Sequence, residues 1–195
     1  MAVTAPAYNT RDGSPTSWSA AIDNIASGAE ENDEKRLFVI SAGNVQPNSF
    51  GSSPYPEANR LHSVESPGQS WNAITVGAYS DDSTISDPIF RGFTPLAAAG
   101  ELSPYSSTSC VWNKRWPIKP EVLFNGGNVA SNGTDYDACS DLSLLTTNYQ
   151  PLRKLFSTIW ATSAATAQAA YFCAQLLSEY PDIWPETARA LMIHS

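Results

Sequence analysis

Unbroken apolar runs and helically spaced apolar stripes take turns along this chain. Leu37-Phe38-Val39-Ile40, Asn72 to Ala78 and Glu121 to Phe124 carry apolar side chains with almost no polar alternation. Runs of that length and type predict parallel strands buried on both faces. Before the first of them, Trp18, Ala21, Ile22, Ile25 and Ala26 recur at helical spacing. Ser14 is the expected cap of this helix, Pro15 its first residue, and Gly28 its end. A second helix is predicted from Thr162 to about Glu179, where small, strong helix formers dominate until Pro181. Its faces are nearly all apolar or tiny, the mark of a helix buried inside a domain. Pro185-Glu186-Thr187 opens a last helix. Helices feeding strands in this way predict an α/β fold, a mostly parallel sheet with helices on both faces.

The connecting segments are polar and irregular. Glu30 to Arg36 reads as a solvated charged turn, and residues 1–13 as irregular. Residues 45–70, rich in Pro, Ser, Asn and Gly, read as one long surface loop bordering a binding cleft. Residues 79–117 suit turns and short antiparallel strands, and Gly126 to Tyr149 reads as loop anchored by Leu142, Leu144 and Leu145.

Composition narrows the class. A chain of 195 residues, 42% hydrophobic and 15% charged, is one globular domain's worth. The net charge of −8 argues against nucleic acid or an anionic membrane as partner, since both require basic patches. No apolar run reaches membrane-spanning length, and the N-terminus lacks the pattern of a signal peptide. Cys110, Cys139 and Cys173 are odd in number and widely spaced, which predicts free thiols in a reducing, cytoplasmic setting. No metal site or cofactor is expected. Asp81-Asp82 and Asp135 with Asp137 read as solvated turn residues rather than calcium ligands.

Candidate chemistry centres on Ser163. It lies in the first turn of the predicted Thr162 helix, where backbone N–H groups lack partners and the helix dipole favours negative charge. Ser and Thr there are also ordinary helix caps. Upstream, the Leu37 run ends in Ser41-Ala42-Gly43-Asn44, a sharp turn that carries an amide donor. A nucleophilic serine beside such a donor would suit acyl transfer.

The surrounding motifs carry a resemblance. Ala161-Thr162-Ser163-Ala164-Ala165-Thr166-Ala167 resembles the nucleophile motif Gly-Thr-Ser-Met-Ala-x-Pro of the subtilases, the subtilisin-like serine proteases, with Ala161, Ala164 and Ala167 departing from it. Ala42-Gly43-Asn44 resembles the family's strand end that supplies an oxyanion-binding asparagine. Further blocks follow in the family's order: Trp71 to Ala78, the Ser-rich turn Leu102 to Ser107, Ile118 to Gly127, and the closing segment from Tyr180-Pro181 to Met192. The resemblance implies a serine endopeptidase acting on peptide or protein substrates, with Ser163 as nucleophile and Asn44 as oxyanion donor.

It also implies an Asp and then a His ahead of that asparagine. No histidine occurs before Asn44, and Asp12 and Asp23 lack the family's strand-then-Asp setting. His62 follows Asn44 without the family's context, and His194 follows the serine, so neither suits the base. The expectation is therefore a partial subtilisin-like catalytic domain over residues 1–195, inactive alone and partnered by the N-terminal part of its own domain. The alternative is a catalytically dead subtilase-like domain that binds a peptide or partner. A different hydrolase is disfavoured because no Gly-x-Ser-x-Gly elbow is present.

Overall fold

The computed structural model describes residues 12–29 and 34–194. The irregular start over residues 1–11 and the Glu30 to Asp33 part of the charged turn lie outside the described residues. The chain runs α1 (Ser17–Ser27), β1 (Val39–Ser41), α2 (Glu57–Leu61), β2 (Ile74–Tyr79), β3 (Thr94–Pro95), β4 (Val122–Asn125), β5 (Val129–Ser131), β6 (Tyr136–Ala138), β7 (Leu144–Thr147), β8 (Phe156–Ile159), α3 (Ala161–Glu179) and α4 (Pro185–His194). The expected strands form one parallel sheet in the order β1-β2-β4, with Val39 opposite Ile74 and Val76 opposite Val122. This is an α/β fold with a small parallel sheet. Two small antiparallel sheets, β3-β5-β6 and the β7-β8 hairpin, flank it in the topology.

The main core lies between that sheet and the two C-terminal helices. Ile74, Val76 and Ala78 of β2 meet Ala165, Ala169 and Cys173 of α3 and Met192 of α4. Alanines at this contact let the helix backbone come close to the strands. Along β2, Ile74 to Ala78 are all buried, as their unbroken apolar run predicts. The opposite face is sealed by loops, where the sequence pattern predicts a helix. Thr75 Oγ1 donates to Gly68 O at 2.6 Å, and Gly77 lies so close to Pro120, Leu123 and Ser106 that a side chain would not fit.

Four further expectations are corrected. The cap of α1 is Thr16, two residues later than Ser14, because Thr16 and Ser19 satisfy each other's backbone N–H groups. Ser14 instead donates twice to Asp12 Oδ1. Gly28 does end the helix, at φ 76°. The long segment over 45–70 is not a plain surface loop. Val45, Phe50, Ala58, Asn59 and Val64 in it are buried, and the Asn59 amide donates to the carbonyls of Ser103, Pro104 and Ser106. Gly126 to Tyr149 is not all loop but holds β5, β6 and β7. Finally, α3 is buried on one face only, with Ser163, Tyr171 and Phe172 exposed on the rest.

A buried ionic cluster ties α4 to the sheet. The side chain of Lys119 is 0% exposed and that of Glu121 10% exposed, and they form an ion pair. Glu121 also accepts from Arg189 of α4 at 3.0 Å and from Thr75 N at 2.8 Å. Lys119 Nζ donates to Ala73 O at 3.2 Å. Burial pushes the Lys119 ammonium below its ordinary value, and the Glu121 carboxylate opposes that. Removing one member strands a charge in the interior, which costs about 3–5 kcal/mol. Glu121→Ala should therefore lower stability to urea by roughly that amount, and the double change Glu121→Leu with Lys119→Met should cost much less. Equal losses for the two variants would show that the cluster is not charge-coupled.

Candidate active site

Asn44 sits just past β1, and Ser163 is the third residue of α3. The structure brings the two together through Thr162. Asn44 Oδ1 accepts from the Thr162 backbone N–H at 3.0 Å and from Thr162 Oγ1 at 2.6 Å. Thr162 Oγ1 also reaches Gly43 O at 3.2 Å. A backbone N–H can only donate, so the amide oxygen must face the helix. The donor end of Asn44, Nδ2, takes no protein partner among the described residues. Neither the backbone N–H nor Oγ of exposed Ser163 is hydrogen-bonded there either.

Helix start and turn fit because each was trimmed for contact. The cap position, Trp160, supplies no side-chain bond, so the Asn44 amide does the capping from across the fold. The expected capping role of the serine and threonine is thus replaced. On its other side the helix start is held by Ala161 N donating to Gly126 O at 2.7 Å. A side chain on Gly126 would press within 2.4 Å of Ala78 Cβ and 3.0 Å of Ala161 O, so only glycine allows this docking. Gln168 Nε2 adds a bond to Asn125 O at 2.6 Å.

Ala161, where the resemblance has glycine, adopts φ 70°. It is the one non-glycine residue with positive φ among those described. The departure in sequence therefore preserves the backbone shape a glycine would give, with left-handed strain on an alanine. Its methyl packs in a cluster with Val45, Phe50, Tyr105 and Val129, which offsets part of that strain.

The other sequence candidates lie elsewhere. His62 follows α2 and His194 ends α4, and neither hydrogen-bonds Ser163 among the described residues. Asp12 is committed to Ser14, and Asp23 anchors Ser70, Trp71 and Asn72 ahead of β2. Among the described residues no group of three or more His, Cys, Asp and Glu side chains gathers as a metal site.

One neighbour of the turn was not singled out by the sequence. Glu65 donates its backbone N–H to Ala42 O at 2.8 Å, and its side chain lies flat against Gly43. A Cβ on Gly43 would come within 2.5 Å of Glu65 Cγ, and φ 100° there also calls for glycine. Burial raises the Glu65 carboxyl above the ordinary glutamate value, against the lowering pull of the His62 ring and the Asn44 N–H. Nothing local in Ser63-Val64-Glu65-Ser66 marks it, because the contact is made by folding.

With this geometry in place, the comparisons identify the class. A family model described as the subtilase family matches residues 1–195, and the chain belongs to that family, a domain of the serine-peptidase type. It is 26% identical over 198 residues to the uncharacterized protein y4bN of Sinorhizobium fredii, across 91% of this chain and 43% of that protein. The chain thus spans less than half the length of the curated relative it matches.

The strain at Ala161 and the charge at Glu65 are both measurable. Ala161→Gly relieves left-handed strain of about 1–2 kcal/mol but loses a buried methyl and gains chain entropy, so stability should change by less than about 1 kcal/mol. Ala165→Gly, fully buried in ordinary helix, should cost about 2 kcal/mol. Equal losses in chemical denaturation would refute the strain. For Glu65, a raised carboxyl favours folding only below the unfolded value, and that benefit is lost as pH rises through the folded value. Glu65→Gln should therefore raise the urea midpoint at neutral pH, with the gain shrinking as pH falls through the carboxylate range.

Proposed function

We propose that this chain is the Ser163-bearing part of a subtilisin-type serine endopeptidase. Ser163 Oγ attacks the peptide carbonyl, and Asn44 Nδ2 with the Ser163 N–H stabilises the resulting oxyanion. One observation carries the proposal. The acceptor end of Asn44 is committed to Thr162, the residue before Ser163, and among the described residues neither its donor end nor the Ser163 hydroxyl and N–H has a partner. Donors fixed in advance need no reorganisation when charge develops, which is where such sites gain their rate.

The hydroxyl still needs a base, and none of the described histidines bonds to it. The base and its orienting carboxylate are taken to come from an N-terminal part of the same catalytic domain, which this chain partners. Support for that view is the open side of β1, which among the described residues pairs only with β2 and is partly exposed at every residue. The substrates are peptides or proteins, with no nucleic acid, membrane, metal or cofactor. The free thiols of Cys110, Cys139 and Cys173 favour a cytoplasmic setting. The second reading, a peptide-binding domain without catalysis, draws its support from the same unpartnered Ser163 hydroxyl.

Labelling by a fluorophosphonate separates them. In the longer protein, Ser163 should label and Ser163→Ala should abolish labelling and turnover. Asn44→Ala should lower kcat with little change in KM, by about 100- to 1,000-fold if it behaves as the corresponding asparagine of subtilisin itself does. The chain 1–195 alone should show no turnover. A folded Ser163→Ala protein with full activity would end the nucleophile assignment, and activity of the isolated chain that His62→Ala removes would place the base within it.

A further inference from the structure

We propose that Glu65 selects substrates, its carboxylate receiving the cationic side chain of a lysine or arginine on the acyl side of the cleaved bond. The inference rests on the proposed roles of Asn44 and Ser163, and it begins from where the reacting carbonyl must lie. A carbonyl oxygen held by Asn44 Nδ2 and the Ser163 N–H places the substrate residue that carries it against the Gly43-Asn44 turn. That residue's side chain leaves from the atom next to the carbonyl carbon, so it emerges beside the same turn.

Glu65 is what the fold puts there. Its side chain covers Gly43, with Cβ, Cγ and Cδ 2.9, 2.5 and 2.7 Å from where a Gly43 methyl would stand. Its carboxyl feels the Asn44 N–H directly. The bond from Glu65 N to Ala42 O fixes the backbone behind it. Among the described residues no lysine or arginine pairs with this carboxylate, although the cations of Lys35, Arg36, Arg60, Lys119 and Arg189 are paired with other acids. His62 lies close enough to act on the charge but forms no ion pair with it.

A carboxylate half-stripped of water and without a counter-ion is a poor arrangement for stability. It is a good one for a ligand that brings the missing cation. The chain's net charge of −8 also favours approach of basic peptides. A merely structural Glu65, holding the turn through its backbone bond, would leave substrate choice alone.

The test uses the longer protein and peptide amides that differ only at the residue before the cleaved bond, as arginine, norleucine or glutamate. The ratio of kcat/KM for arginine over norleucine should exceed one. It should fall about ten- to a hundredfold in Glu65→Gln, stay above one in Glu65→Asp, and shift toward glutamate in Glu65→Lys. The same peptides carrying fluorescein are bound to the Ser163→Ala protein and read by anisotropy. Tighter binding of the arginine peptide that Glu65→Gln abolishes supports the inference even if the wild-type protein never turns over, an outcome that would count against the peptidase reading alone. Folded Glu65→Gln protein with wild-type discrimination in both assays overturns it.

Discussion

The hydrogen bonds from Thr162 to Asn44 Oδ1 are the constraint on which the site depends. They join a turn after the first strand to the start of a helix 118 residues later. Because Trp160 gives α3 no cap of its own, the same amide oxygen satisfies a buried N–H that would otherwise be orphaned. One residue thus fixes helix, turn and donor orientation together. Placing the proposed oxyanion donor by a bond that the fold needs anyway makes the geometry as rigid as the core it belongs to.

That core explains the unusual run of small residues around Ser163. Ala164, Ala165 and Ala169 let α3 lie close on β1, β2 and β4, and Gly126 lets the strand-end turn touch Ala161 O. The sequence motif departs from the family most visibly at Ala161, yet the backbone there is the left-handed one that glycine would adopt. Identity at a motif position and conformation at that position are separate quantities. Here the conformation is held by Gly126 O and by packing around the alanine methyl, so the strain is borne rather than relieved.

What could be read in advance follows the range of the forces involved. The parallel strands and α3 were legible because uninterrupted apolar runs and small-residue helices have few alternative homes. The pairing of Asn44 with the Ser163 turn was legible only through the order of motif blocks. The short strands β5, β6 and β7 were not, since three- and four-residue ladders mixed with polar side chains carry no period. The burial of 45–70 escaped because it is made by distant partners, such as the Asn59 amide binding carbonyls 44 to 47 residues away. The α1 cap slipped by two residues because Ser14 and Thr16 are equally good caps in isolation. Each even has a serine three residues on, Ser17 and Ser19, and it is the fold that uses the Thr16–Ser19 pair.

Glu65 belongs to the same class of hidden feature, and it points the opposite way energetically. The Lys119–Glu121–Arg189 cluster shows how this fold treats a buried charge it needs for structure, with the Glu121 carboxylate met by two cations and a backbone N–H. Among the described residues Glu65 is met by the His62 ring, without an ion pair, and by the Asn44 backbone N–H, and burial raises its carboxyl. A loop selected only for stability would carry a neutral side chain over Gly43. A carboxylate kept there at a cost to folding, beside the proposed oxyanion donor, is the pattern expected when a charge is held for a ligand rather than for the protein.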